Sequence, residues 1–284
     1  MPGKEGGVGV GGTPHEAVRP LVRRQLRGPV VTLTLDSPKN RNALSARMLL
    51  ELRGALGEVG DDAGIRVVVL TGDGPAFCSG VDLDERLHPP GGPGATLDEV
   101  LSLMGGLRQP VVARVNGPAR AGGVGLVAAS DLAVAPAAAT FAFTEVRVGV
   151  APAVIAVPSL AVMGRRAWTR YALTGDVFGA GEAVEAGLLT AAVPDATALD
   201  TWVSAAVASL LRSSPGAVAA TRMLADQLGG RRRDDALSAA GPVSERLFAS
   251  PDAAEGMAAF LEKRSPRWAV PWPPDPGEAR PDEG

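Results

Sequence analysis

The sequence predicts an α/β core followed by an all-helical region, on three observations. Strand-like runs alternate with helix-period segments from about residue 21 to residue 146. Beyond residue 158 the apolar residues recur only at helical spacing. Two of the strand-like runs end in glycine-bearing junctions, Phe77-Cys78-Ser79-Gly80-Val81-Asp82-Leu83 and Gly117-Pro118-Ala119-Arg120-Ala121-Gly122-Gly123-Val124-Gly125. At 284 residues, 46% of them hydrophobic, the chain can bury a sizeable core.

In chain order, residues 1–17 are Gly-rich and expected to lack fixed structure. Residues 21–25 and 30–35 read as strands around the turn Arg27-Gly28-Pro29. Residues 45–59 read as a helix, because Met48, Leu49, Leu52, Leu56 and Val59 share one face. The run Val67-Val68-Val69-Leu70 reads as a strand buried on both sides. Thr96-Leu97-Asp98-Glu99 is a capping box that opens a helix through about Leu107. A strand at 111–116, the second glycine junction and a short helix from Leu126 follow, then strand-like runs at 132–134 and 140–146. Helices are expected at 180–189, 199–211, 217–228, 236–247 and 252–261, with Pro215 and Pro251 at helix starts. The organisation is thus a core over 18–197, a helical region over 198–264 and a Pro-rich, acidic tail over 265–284.

Composition excludes several functions. A net charge of −3 argues against a general nucleic-acid binder. The run Arg231-Arg232-Arg233 meets Asp234-Asp235 at once and reads as a solvated loop or helix start. One cysteine leaves no internal disulfide and no multi-Cys metal site, which fits a reducing cytoplasm. No apolar run approaches the ~20 residues of a membrane helix, and no secretory leader is evident. The two histidines, His15 and His88, stand near no nucleophile motif, so Ser-His-Asp chemistry and His-rich metal sites are not expected. Gly123-Val124-Gly125-Leu126-Val127-Ala128 fits the loose dinucleotide pattern. It follows its strand too late for that role, and that strand does not open a βαβ unit.

The glycine junctions carry the available chemistry. Glycines where a strand meets a helix let a ligand approach the backbone and leave the first helical N–H groups free. Donors from two such junctions can form an oxyanion hole. Glu145, at the end of Thr140-Phe141-Ala142-Phe143-Thr144, is the best candidate for proton transfer, since apolar neighbours raise a carboxyl pKa. Its structural alternative is an ion pair with Arg147 or a capping role. Asp82 reads as a helix cap, Cys78 as a packed small residue and Asp131 as structural.

Eight short motifs then stand in one order: Asn40-Arg41-Asn42-Ala43-Leu44, Phe77 to Leu83, Val115-Asn116-Gly117, Ala121-Gly122-Gly123-Val124-Gly125, Ser130-Asp131-Leu132, Thr144-Glu145-Val146-Arg147-Val148-Gly149, Leu173-Thr174-Gly175 and Ala186-Gly187-Leu188. With these motifs the chain resembles the crotonase, or enoyl-CoA hydratase/isomerase, superfamily. The resemblance implies a spiral of ββα turns with a C-terminal helical trimerisation region, and a homotrimer or dimer of trimers. It implies an acyl-coenzyme A thioester as substrate, with no cofactor beyond the coenzyme A of that substrate. Carried onto matching positions, the N–H groups of Val81 and Gly122 form the oxyanion hole and Glu145 moves protons. Lys39, Arg41, Ala43, Ser79, Val81, Asp82 and Leu83 line the coenzyme A groove, and residues 84–106 line the acyl end.

The chain departs from the pattern at Gly125, where two-carboxylate hydratases carry their first glutamate. Glu145 alone must then serve water addition. A single carboxylate also suits isomerisation, by taking a proton at C2 and returning it at C4. The wording of the motifs is similar to a bacterial subgroup labelled hydratases, including methylglutaconyl-CoA hydratase-like proteins. The expectation is therefore an enoyl-CoA hydratase-like lyase, with an enoyl-CoA isomerase or a non-catalytic acyl-CoA-binding protein as alternatives.

Overall fold

A computed structural model describes residues 19–88, 91, 94–229 and 231–273. The expected disorder at 1–17, His15, and residues 274–284 of the tail lie outside the described residues. The core is a six-stranded sheet in the order β1-β2-β3-β4-β6-β9. β1 (Val22–Arg27) pairs antiparallel with β2 (Val30–Leu35) through the expected hairpin. β3 (Val67–Gly72), β4 (Val111–Arg114), β6 (Leu132–Pro136) and β9 (Ala191–Val193) then add in parallel.

The β-branched run in β3 is explained by burial on both faces. Val68 and Leu70 join one core with Val31, Leu33, Val111 and Ala113. Val67 and Val69 face the opposite way and join Val30, Val112 and Val134. The first face is covered by α1 (Ala46–Asp61), α3 (Leu97–Gly106) and α4 (Gly122–Ala128). α2 (Leu83–Leu87) is a short exposed helix before α3. The second face is covered by α8 (Ala196–Arg212), whose Leu199, Val203, Val207 and Leu211 fall at helical spacing. The capping box read at Thr96 holds, with Glu99 accepting from the Thr96 N–H at 2.9 Å, and the Ser45 hydroxyl caps α1 by accepting from the Met48 N–H.

A smaller sheet, β5-β7-β8, stands beside the first. It joins β5 (Ala119–Arg120), β7 (Thr140–Ala142) and β8 (Phe178–Gly179). Here the structure corrects the reading of 140–146 as one strand. β7 stops at Ala142, Thr144 turns into helical backbone, and Glu145–Val148 is a single 3-10 turn ended by Gly149 at φ 80°. The strand read at 111–116 likewise ends at Arg114.

α5 (Ala153–Val162) begins ahead of residue 158 and carries Pro158 inside it. α6 (Arg165–Thr174) was not expected. α7 (Ala180–Ala186), α9 (Pro215–Leu228), α10 (Arg233–Phe248) and α11 (Pro251–Leu261) fall where helices were expected. α10 buries no residue and packs on α9 and α11. No helix among the described residues is long and apolar enough to cross a membrane.

The start of the Pro-rich tail is anchored to the back of the sheet. Val270 and Trp272 pack on the second core. The Trp268 indole N–H donates to the Arg212 carbonyl at 3.1 Å, and Arg66 donates to the carbonyls of Ser213 and Trp268. Truncation after Arg264 uncovers that apolar surface. It is expected to lower the unfolding free energy by about 2 kcal/mol or more in urea titration. A detached tail would leave the midpoint unchanged.

Candidate active site

The site begins with two asparagines that knot the loop after β3. Asn42 is fully buried in a left-handed backbone, φ 57°. Its Oδ1 accepts from the Ser37 N–H at 2.8 Å, and its Nδ2 donates to the carbonyls of Asp73 and Ala76, each at 2.9 Å. Asn116 accepts from the Gly72 N–H at 3.0 Å and donates to the carbonyls of Gly74 and Ala76. Residues 77–82 are thereby held between two other segments. On one side Ser79 N–H donates to Arg41 O at 2.9 Å, Leu44 N–H to Gly80 O at 2.7 Å and Asp82 N–H to Leu44 O at 3.3 Å. On the other, Phe77 N–H donates to Pro118 O and Arg120 N–H to Cys78 O.

This pairing aims the Val81 N–H. Leu44 and Val81 form a parallel bridge in which Leu44 bonds to Gly80 and Asp82. The polar groups of Val81 itself must point the other way, away from Leu44. Its N–H meets no protein acceptor among the described residues. Gly122, the first residue of α4, has an equally free N–H, as helix geometry requires. The two positions adjoin, since a β-carbon on Gly122 would lie 3.7 Å from Val81 Cγ2. Ala121 sets the direction of the Gly122 amide with φ 46° and ψ −117°, a conformation costly for an alanine by about 1–3 kcal/mol. It is pinned there by its N–H bond to Ala142 O at 3.0 Å.

Val81, Ala121 and Glu145 line one cavity of about 730 Å³, otherwise mostly apolar. Glu145 enters from the 3-10 turn after β7, and its Oε2 is buried with no hydrogen-bond partner. Burial holds its carboxyl above the ordinary glutamate range, offset only in part by its own backbone N–H. The alternative ion pair does not form, because Arg147 binds Asp176 at 3.0 Å. At Gly125 a β-carbon would overlap the Cγ2 of Ile155 and sit 3.0 Å from its Cβ. Ile155, from α5, thus fills the space over the glycine and lines the cavity. Sequence reasoning missed Ile155, and the only clue was the bare position it covers.

The remaining predicted residues divide clearly. Ser79 and Leu83 line the cavity. Lys39, Arg41 and Ala43 lie in the adjoining segment outside that lining, the first two exposed and Ala43 buried. The Asp82 carboxylate caps α2, accepting from the N–H groups of Asp84 and Glu85. Cys78 is buried, and desolvation pushes its thiol up to about 12. Asp131 accepts from the Val111 N–H at 2.7 Å and pairs with Arg222 at 2.6 Å. Among the described residues no cluster of ligating side chains could hold a metal ion.

The Glu145 environment has a consequence for stability. A carboxyl with a raised pKa binds its proton more tightly in the folded state. Its contribution is therefore fully present below the unfolded value, about 4.3, and is lost as pH rises through the folded value. Glu145→Gln is expected to be more stable than the wild type at pH 8, with the gap closing by pH 4. Paired thermal melts across that range check it, and a pH-independent gap would count against the buried carboxylate.

Comparison with known proteins shows the family. Residues 26–271 match the model of the enoyl-CoA hydratase/isomerase family. A Thermus thermophilus protein that bears an enoyl-CoA hydratase name is 36% identical over 250 residues, 85% of this chain and 98% of its own. Enoyl-CoA hydratase domain-containing protein 3 of Danio rerio is 33% identical, covering 88% of each chain. The crystal structure of an enoyl-CoA hydratase from Mycobacterium smegmatis superposes with a TM-score of 0.81 at 35% identity, covering 89% of this chain and all of that one. The α/β core and its helical extension are therefore the crotonase fold, and the chain belongs to the enoyl-CoA hydratase/isomerase family.

Proposed function

We propose that the protein adds water to 2-enoyl-coenzyme A thioesters with a single carboxylate. The observation that carries this reading is the unpartnered Glu145 oxygen in a cavity shared with the peptide units of Val81 and Ala121. The thioester oxygen sits between the N–H groups of Val81 and Gly122, where charge collects as the enolate forms. Each such donor contributes about 2.7–4 kcal/mol at the transition state. Glu145 takes a proton from water as the water oxygen bonds to C3. The π electrons move onto the thioester oxygen, and the same proton is then delivered to C2. A desolvated carboxylate is a stronger base than an exposed one, which suits both transfers.

The exposed Lys39 and Arg41 meet the coenzyme A phosphates, and residues 40–44 with Ser79, Asp82 and Leu83 line the groove. No cofactor beyond that coenzyme A takes part. The exposed Leu237, Phe248, Phe260 and Leu261 on α10 and α11 supply an apolar surface for assembly as a trimer or a dimer of trimers. Hydratase names among the relatives support the reaction assigned. One observation favours a second reading. Ile155 replaces a second water-binding carboxylate with hydrocarbon, which suits isomerisation of 3-enoyl thioesters by Glu145 alone.

The expected outcome is hydration of crotonyl-CoA, with kcat lowered about 10²–10⁴-fold in Glu145→Gln. Wild-type activity should rise with pH as the shifted carboxyl ionises. Loss of the conjugated enoyl absorbance reports hydration, and its appearance from a 3-enoyl-CoA reports isomerisation. Turnover of the second substrate alone would replace the first reading by the second. Binding without turnover of either would leave an acyl-CoA-binding protein.

A further inference from the structure

The acyl end of the cavity holds a charge that neither reading uses. On α2 the residues facing the cavity are Leu83, Arg86 and Leu87, spaced as one helical stripe. Arg86 is exposed and stands at the open mouth of the cavity, beside the apolar lining residues Leu83, Leu87, Leu97, Val148, Val150 and Val154. None of the acids on or beside its own helix forms an ion pair with it. Asp82 caps α2, Asp84 stands 3.5 Å from His88, and Glu85 accepts from the Ala46 N–H at 2.7 Å. Across the cavity the nearest elements offer Thr96 and Asp98. Asp98 belongs to the first turn of α3, where the helix dipole already favours a negative charge. It lies beyond ion-pair distance of Arg86, which has no carboxylate partner among the described residues.

A guanidinium is a fixed fork of donors matched to a carboxylate. At the mouth of an apolar cavity, without a carboxylate partner among the described residues, it favours a chain that ends in an anion over a plain hydrocarbon chain. We infer that the acyl chain this cavity selects ends in a carboxylate, and that Arg86 is the residue that reads it. The inference rests on the acyl-CoA reading above. Asp98 then acts as a counterweight, repelling carboxylates that overreach Arg86.

Saturated thioesters test this without turnover, because they offer no double bond to hydrate. The dissociation constants of glutaryl-, adipoyl- and pimeloyl-CoA are measured against pentanoyl-, hexanoyl- and heptanoyl-CoA by titration calorimetry. The wild type is expected to prefer at least one carboxylated chain over its neutral partner by about five- to tenfold. Arg86→Gln should abolish that preference while leaving the neutral chains unchanged, and Arg86→Leu should reverse it. Asp98→Asn should tighten the carboxylated chains alone. Equal binding of both series to the wild type would overturn the inference and leave the acyl-CoA reading standing. Equal weakening of both series in Arg86→Gln would also overturn it, by assigning Arg86 to a coenzyme A phosphate. Failure of every thioester to bind would remove the acyl-CoA reading and this inference together.

Discussion

The bridge between Leu44 and Val81 orders much of what surrounds it. A strand-like segment has polar groups on two edges, and pairing one residue of it decides which way its neighbour's groups point. Leu44 takes up Gly80 and Asp82, so Val81 is left to face the cavity. Residues 77–82 reach that register because Asn42 and Asn116 satisfy the carbonyls of the loop from Asp73 to Ala76. Buried carbonyls without donors would cost about 1–3 kcal/mol each, which is enough to let the loop open. The two side-chain amides therefore act on the proposed site at a distance, through backbone direction.

The same region stores unfavourable energy in two places. Ala121 adopts a backbone conformation that its β-carbon disfavours, and Glu145 keeps an oxygen in an apolar place without a partner. Neither feature helps the fold. Both are held by rigid neighbours, Ala121 through β7 and Glu145 by the turn that follows it. A donor direction and a basic carboxylate are what a developing enolate requires, so the strain and the desolvation sit where the proposed reaction would use them.

The sequence made the layers legible because periodicity reports burial. The unbroken Val67–Leu70 run marked a two-faced strand, and the capping box at Thr96 with Pro215 and Pro251 marked helix starts. The glycine junctions and Glu145 were found because their residue types serve few other purposes there. What stayed hidden depends on partners distant in sequence. β8 and β9 are two and three residues long and are strands only by pairing with β7 and β6. The 3-10 turn at Glu145 has strand-like composition, and φ near +60° at Asn42 has no apolar pattern to betray it. The tail was legible only as Pro-rich and acidic, while Val270 and Trp272 gain meaning only against the back of the sheet.

Gly125 and Ile155 occupy one space between them. A glutamate introduced at Gly125 would meet the branched side chain, and shrinking Ile155 first would open a void in a packed wall. Each change alone carries a packing cost, so the two positions are coupled, and position 125 stays closed to a second carboxylate for as long as Ile155 stands over it.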